Sequence, residues 1–355
     1  NTAGKLRGHV CKLVTSSTMS KILPQLRVAV VGATGMVGRT MLKVLEKRGF
    51  PVGTLIPVAS ARSVGKHVEF AGEHVEVVDL DTALSLKPHV ALFSAGGALS
   101  LEWAPKFAAA GITVVDNSSA WRMSDDHKLV VPEVNGEVVE AEDLILANPN
   151  CTTMQLVMCL KPIHDKWGIE RGVVSTYQSV TGTGQAAVDQ LNGERAGLDP
   201  ARVYPHAIDQ NCLPHCDEFM DNGYTKEEMK VHRETKKILG DPSIGLSCTA
   251  VRVPVFGGHS ESVYLELASD VSLDDVRAAW SAFPGVVVQD APKDNEYPMP
   301  RHAQGEDEVF VGRLRRDLTH PRGIHFWVVA DNLRKGAATN TVQIAEMLVY
   351  AGRWG

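Results

Sequence analysis

Residues 27–38 read RVAVVGATGMVG: Arg27-Val28-Ala29-Val30-Val31, then Gly32-Ala33-Thr34-Gly35-Met36-Val37-Gly38. A short apolar run without polar alternation is the pattern of a strand covered on both faces. Beyond the turn, Met36, Val37, Met41, Val44 and Leu45 recur at helical spacing up to about Gly49. Strand, glycine-rich turn and helix, in that order, let backbone approach a pyrophosphate at a helix N-terminus. The spacing is GxxGxxG rather than GxGxxG, and a tight turn without a ligand would use the same glycines.

Working outward, residues 54–59 form the next strand candidate. An acidic residue at its end would bind ribose hydroxyls in an NAD-specific fold. None occurs between Glu46 and Glu69; the strand is followed by Ser60-Ala61-Arg62-Ser63-Val64-Gly65-Lys66. Hydroxyls and a guanidinium there suit a 2′-phosphate, although a solvated loop has the same composition. Strands are also expected at 75–78, 90–93 and 113–115. The second runs into Ser94-Ala95-Gly96-Gly97 and the third into Asp116-Asn117-Ser118-Ser119-Ala120-Trp121-Arg122. Ligands bind at such carboxyl ends of parallel strands, which makes Arg122 a candidate anion binder; a surface ion pair would also account for it. Alternating strands and helices predict a doubly wound parallel sheet, of Rossmann type.

The chain has 355 residues, enough for one large or two ordinary domains. Apolar content of 44% and charged content of 22% are those of a globular protein. A net charge of -6 without a basic, aromatic-laced stripe argues against a nucleic-acid partner. No apolar run reaches membrane-spanning length, so no membrane partner is expected. Six cysteines lack the spacing of a disulfide framework, which suits a reducing compartment. Cys212, His215 and Cys216 suggest a metal site, but no second pair follows and no metal is expected. Residues 1–23 contain four basic residues and no acidic one, with the run Thr15-Ser16-Ser17-Thr18. A transit-peptide remnant and an upstream extension fit equally, and Met19 is an alternative start. A cytoplasmic location is expected, with organelle targeting by this segment left open.

The second landmark is Ala147-Asn148-Pro149-Asn150-Cys151-Thr152-Thr153. It lies between the apolar run 144–146 and a helical pattern, Met154, Val157, Met158 and Leu160, that ends at Pro162. Cys151 is thus placed in the turn before a helix or in its first residues. There the dipole favours a thiolate, and free N–H groups are available to an oxyanion. A small buried cysteine is the plainer alternative.

After this helix the pattern becomes α+β. A strand at 172–180 leads to Thr181-Gly182-Thr183-Gly184-Gln185, and residues 199–216 are irregular. Thr225 and Glu228 stand in capping-box relation, and Glu227 and Lys230 share a helix face, where an exposed ion pair is the default. Strands at 248–255 and 262–267 enclose Phe256-Gly257-Gly258-His259-Ser260-Glu261, putting His259 on a glycine-bordered loop suited to acid–base work. Arg252, in the preceding strand, has the fork that holds a carboxylate. A strand at 326–330, a turn at 331–338 and a helix over 339–350, returning to the first domain, complete the chain.

These segments resemble the aspartate-β-semialdehyde dehydrogenases, bacterial-type branch, over residues 26–355. The likeness is carried by GATGMVG at 32–38, ASARSVGK at 59–66, SAGG at 94–97, DNSSAWR at 116–122 and NPNCTT at 148–153. It continues with QSVTGTG at 178–184, NCLPH at 211–215, DNGYTKEEMK at 221–230, RVPVFGGHSES at 252–262 and DNLRKGAA at 331–338. The resemblance implies a dinucleotide-binding domain over 24–149 plus 333–355 and a catalytic and dimerisation domain over 150–332. It implies a homodimer or homotetramer acting on a small molecule and phosphate. The implied reaction reduces aspartyl phosphate to aspartate semialdehyde with NADPH, towards lysine, methionine, threonine and diaminopimelate.

Carried over by position, Cys151 is the nucleophile, His259 the acid/base and Gln178 the residue that orients the acyl group. Arg252 and Glu227 hold the substrate's carboxylate and amino group, while Arg122 and Lys230, with Asn150, bind phosphate. NADP falls to Gly32, Thr34, Gly35, Met36, Val37, Ser60, Arg62, Ser63, Ala95, Gly96, Gly182 and Asn332. Two other readings compete: N-acetyl-γ-glutamyl-phosphate reductase, which uses the same chemistry, and a non-catalytic homologue, against which intact Cys151 and His259 argue.

Overall fold

The computed structural model describes residues 24–354; the expectations for residues 1–23 lie outside them. The chain forms two compact units. One ends at Pro149 and resumes at Ala337; the other is Asn150–Gly336.

The strands of the first unit are β1 (Leu26–Val31), β2 (Val52–Val58), β3 (His67–Phe70), β4 (Glu73–Glu76), β5 (Val90–Phe93), β6 (Thr113–Asp116), β7 (Lys128–Leu129) and β8 (Ile145–Ala147). Six of them form a parallel sheet in the order β2-β1-β5-β6-β8-β7. Successive side chains of β1 point to opposite faces, and both faces are covered. Val28 and Val30 join the cluster of Met41, Leu45, Val342 and Leu348, whereas Ala29 and Val31 join that of Ile56, Phe93, Phe107 and Val114. This explains why β1 reads as an uninterrupted apolar run.

Helix α1 (Met36–Lys47) buries Met41, Leu42, Val44 and Leu45. The C-terminal helix, Thr339–Tyr350, returns to this unit as expected and packs Val342, Ile344 and Leu348 into the same cluster. One expected strand differs. Residues 75–78 supply no strand of the parallel sheet; β3 and β4 form a separate antiparallel hairpin through Gly72 (φ 79), and Val78 makes only a bridge to Val58.

The second unit is built on β9 (Ile169–Gln178), β10 (Gly245–Arg252), β11 (His259–Leu267), β12 (Val286–Val288), β13 (Val309–Arg316) and β14 (Gly323–Ala330). They form a mixed sheet in the order β10-β9-β11-β14-β13-β12. Three expectations are corrected here. The helix opened by Cys151, α3 (Cys151–Trp167), runs through Pro162 instead of ending there. Proline forfeits one backbone hydrogen bond, and the continuous burial from Thr152 to Leu160, with Pro162 and Ile163, compensates for it. His259 is not on a loop: it is the first residue of β11, pairs with Ala330 and is fully buried. Gly257 and Gly258 (φ 80) make the turn themselves. The turn expected over 331–338 contains a π-helical segment, Arg334–Ala338, that feeds directly into the C-terminal helix.

Among the described residues, no helix is long and apolar enough to cross a membrane.

The glycine turn after β1 packs tightly against the start of α1. A Cβ on Gly38 would overlap the Gly32 carbonyl and lie 2.8 Å from Ala33 Cα. Overpacking of this kind costs about 1–3 kcal/mol or more, so Gly38→Ala should lower the midpoint of urea unfolding markedly. An unchanged midpoint would show that α1 does not depend on this approach.

Candidate active site

Cys151 is the first residue of α3, and Asn150 is its N-cap. The Asn150 Oδ1 accepts from the backbone N–H of Thr152 (3.0 Å) and of Thr153 (3.4 Å), and also from the Thr152 hydroxyl. Those N–H groups are therefore engaged in the cap, contrary to the expectation that they stand free for an oxyanion. The thiol sits half-buried on a turn fixed from both sides: the Asn150 N–H donates to Glu234 Oε2 (2.7 Å) and its Nδ2 to Glu227 Oε1 (3.0 Å). A Cβ on Gly336 would come 3.1 Å from Cys151 Cβ, so glycine keeps that side of the cysteine uncrowded.

Both carboxylates belong to helix α4 (Lys226–Leu239), which opens with the expected capping box: Thr225 accepts from the Glu228 N–H, and Glu228 accepts from the Thr225 N–H. Glu227 is buried, not the half of an exposed pair that helix spacing alone suggested. Its Oε1 also accepts from Gln178 Nε2 (3.0 Å), and its Oε2 from Lys230 Nζ (3.1 Å). Burial pushes this carboxyl up, but Lys230, the amides of Asn150 and Gln178, and Arg252 outweigh it and bring it to about 2. Lys230 also donates to Asp217 (2.6 Å). Burial lowers its ammonium, yet Glu227 and Asp217 hold it charged and raise it overall.

Gln178 and Arg252 end adjacent strands in register. The Arg252 Nη1 donates to the Ser179 carbonyl (2.7 Å), while its buried Nε has no partner among the protein groups. An unpaired guanidinium N–H at a site only 6% exposed suits an anionic ligand. Ser179 then reaches His259: its backbone N–H donates to Nδ1 (3.0 Å). With Nδ1 accepting, the neutral ring carries its proton on Nε2, a buried atom with no protein partner. Burial, then the Arg252 charge, lowers His259 to about 3 against the opposing pull of Glu227. It is thus neutral, with a donor ready at Nε2. A Cβ on Gly182 would lie 3.0 Å from Arg252 Nη1 and 3.2 Å from His259 Nε2, so a side chain there would crowd both groups. Asn332 Oδ1 ties the turn down by accepting from Ser179 Oγ (2.9 Å) and the Gly258 N–H (3.2 Å).

The second unit thus brings Asn150, Gln178, Gly182, Glu227, Lys230, Arg252, His259 and Asn332 into one polar network beside Cys151. Sequence reasoning missed Ser179 and Glu234. Glu234 lies seven residues after Glu227, the spacing that keeps one helix face, and this was its only trace in the sequence.

The other candidates belong to the first unit. Arg122 is buried, not a surface ion-pair residue; its Nε donates to the Asn148 carbonyl and its Nη2 to that of Asn117, both at 2.9 Å. Gly32 (φ 87) lies where a Cβ would overlap the Ser94 carbonyl. Gly35 precedes α1, and Gly96 (φ 90) precedes α2 (Gly97–Ala109), in each case without a side-chain cap. Thr34, Met36, Val37 and Ala95 flank these two turns. Two glycine-led helix starts at the carboxyl ends of β1 and β5 fit a dinucleotide pyrophosphate. Ser60, Arg62 and Ser63 follow β2, with Arg62 exposed and no acidic neighbour in the loop.

Residues 27–142 match the family model described as the semialdehyde dehydrogenase NAD-binding domain, and residues 160–335 match the semialdehyde dehydrogenase dimerisation domain. That pair of domains defines the class to which this fold and site correspond. An aspartate-semialdehyde dehydrogenase of Aquifex aeolicus is 54% identical over 335 residues, covering 92% of this chain and 98% of the relative; one of Legionella pneumophila is 53% identical, covering 91% and 95%. The crystal structure of aspartate semialdehyde dehydrogenase II from Vibrio cholerae, complexed with ASA, has a TM-score of 0.88 at 48% identity, covering 92% of this chain and 99% of that one. The Candida albicans enzyme with NADP has a TM-score of 0.75 at 25% identity, with the same coverage. The chain belongs to the aspartate-semialdehyde dehydrogenase family.

The His259 environment has a consequence for stability. The unfolded chain takes up a proton near pH 6.5 that the folded chain refuses until about pH 3, so acid favours unfolding across that window. His259→Asn, which has no proton to take up, should lose less melting temperature than the wild type between pH 7 and the acid end of the window. Parallel curves would show that His259 is not held neutral.

Proposed function

We propose that this chain catalyses the NADPH-dependent reductive dephosphorylation of L-aspartyl-4-phosphate to L-aspartate-4-semialdehyde and phosphate, through a thioester on Cys151. The observation that carries the assignment of roles is the shared carboxylate of Glu227, which joins the cap of Cys151 to Gln178 and Lys230. The named relatives support aspartyl phosphate over N-acetyl-γ-glutamyl phosphate.

In this reading the Cys151 thiolate attacks the acyl carbon, the C–S bond forms and phosphate departs with the C–O bond electrons. Ionised Glu227 meets the substrate ammonium, and Arg252, with its unused Nε–H, meets the α-carboxylate. Lys230 neutralises the phosphate, and Gln178 orients the acyl oxygen. The nicotinamide, when bound, supplies the hydride that reduces the thioester carbon. His259, protonated at Nε2 while neutral, donates to the oxygen that gains charge; returning that proton lets the carbonyl re-form as the C–S bond breaks and Cys151 leaves. Arg122 is kept as an anion binder of the first unit. The glycine turns after β1 and β5 would hold the pyrophosphate, and Arg62 the 2′-phosphate. The matched dimerisation domain supports a homodimer; a dimer of dimers and a cytoplasmic location are further expectations of this reading.

The direct test is phosphate-dependent reduction of NADP⁺ with aspartate semialdehyde. Wild type should turn over, and Cys151→Ala should abolish turnover while retaining cofactor binding. Substantial activity in the variant removes Cys151 from the mechanism. Preference for the acetylated glutamyl substrate would replace the proposed one.

Cofactor choice is tested by Arg62→Ala. Charged hydrogen bonds contribute roughly 1.5–3 kcal/mol, so kcat/KM for NADP should fall by about one to two powers of ten, and that for NAD far less. Parallel falls at one ionic strength would show that Arg62 does not read the phosphate.

A further inference from the structure

Glu261 lies two residues beyond His259 in β11, on the same buried face of the sheet. It is fully buried, and neither carboxyl oxygen has a hydrogen-bond partner within bonding distance. Among the described residues no cation is seen to act on it. Cys159 of α3 and Cys248 of β10 lie within its electrostatic reach, Thr176 and Val328 are its register neighbours, and Gln155 of α3 acts on it from nearby, in the direction opposite to burial. Gln155 is equally buried. Its Nε2 donates to the His259 carbonyl (3.3 Å), and its Oε1 has no partner.

Three unpartnered oxygens in one dry place, two on a carboxyl and one on an amide, have a simple resolution. A buried carboxylate without a cation or donors is strongly disfavoured. A neutral carboxyl supplies an O–H, and Gln155 Oε1 is the acceptor that lacks one. We propose that Glu261 is a protonated, neutral acid whose O–H holds Gln155, and that Gln155 holds the start of β11 and with it the ring of His259. Glu261 and Gln155 are then positioning residues for the acid–base step, an inference that rests on the role given to His259 above. Burial acts in the same direction and outweighs the opposing effect of the Gln155 amide, pushing the Glu261 carboxyl well above the ordinary glutamate range.

The experiment uses the full chain at pH 8 and compares wild type with Glu261→Gln and Glu261→Leu. Infrared difference spectra between wild type and Glu261→Gln should show a protonated carboxyl stretch lost in the variant; loss of carboxylate bands instead overturns the proposal. Glutamine keeps an N–H donor for Gln155 Oε1, so Glu261→Gln should retain kcat within about threefold and the wild-type pH profile. Leucine offers no donor, and misplacement of a reacting group costs up to about a hundredfold; Glu261→Leu should lose about ten- to a hundredfold in kcat with KM little changed. A glutamine variant as damaged as the leucine variant, or a leucine variant with full kcat, refutes the positioning role. If Glu261→Leu does not fold, the infrared band and the Glu261→Gln pH profile still decide. Absence of wild-type turnover would instead strike the functional reading, leaving the infrared result to stand for Glu261 alone.

Discussion

The carboxylate of Glu227 is the interaction on which the second unit's polar architecture depends. It is buried, ionised and shared among Asn150, Gln178 and Lys230. A charge in such a place is stable only while its donors stay in position, and removing one partner of a buried pair typically costs about 3–5 kcal/mol. The cap of the cysteine helix, the end of β9 and the lysine are therefore not independent features. Each holds the others through two oxygen atoms.

Helix starts in this chain are finished in two ways. The helices after β1 and β5 begin at glycines and have no side-chain cap, which leaves their first turns open to an anion. The helices that carry Cys151 and Glu227 are closed by Asn150 and Thr225. A closed cap is worth about 1 kcal/mol, but here its effect is also geometric. It engages the N–H groups of Thr152 and Thr153 and fixes the turn that carries the thiol.

Helix α4 and the sheet hold buried polar groups at different protonation states, one on each. Glu227 keeps its charge because donors and Lys230 surround it; His259 stays neutral because burial and Arg252 oppose a second positive charge. Arg252 acts on both, favouring the carboxylate and disfavouring the imidazolium. A single guanidinium thereby helps to set a charged acceptor on one side and a neutral donor on the other.

The sequence by itself determined the features that rest on short-range chemistry. The apolar run of β1 with its glycine turn, the helix behind Cys151, the capping box at Thr225 and the returning C-terminal helix were all legible, because spacing and turn residues decide them over a few positions. The tertiary structure decided what these segments do to one another. His259 moved from a loop into a strand because its pairing partner, Ala330, is far along the chain. The Asn150 bonds to Glu227 and Glu234 span 77 and 84 positions, and the Ser179 bond to His259 spans 80. No local period encodes such contacts. Which carboxyl is charged, which imidazole nitrogen holds the proton and which helix N–H groups are already taken depend on burial and on those distant donors, and they exist only once the sheet has assembled.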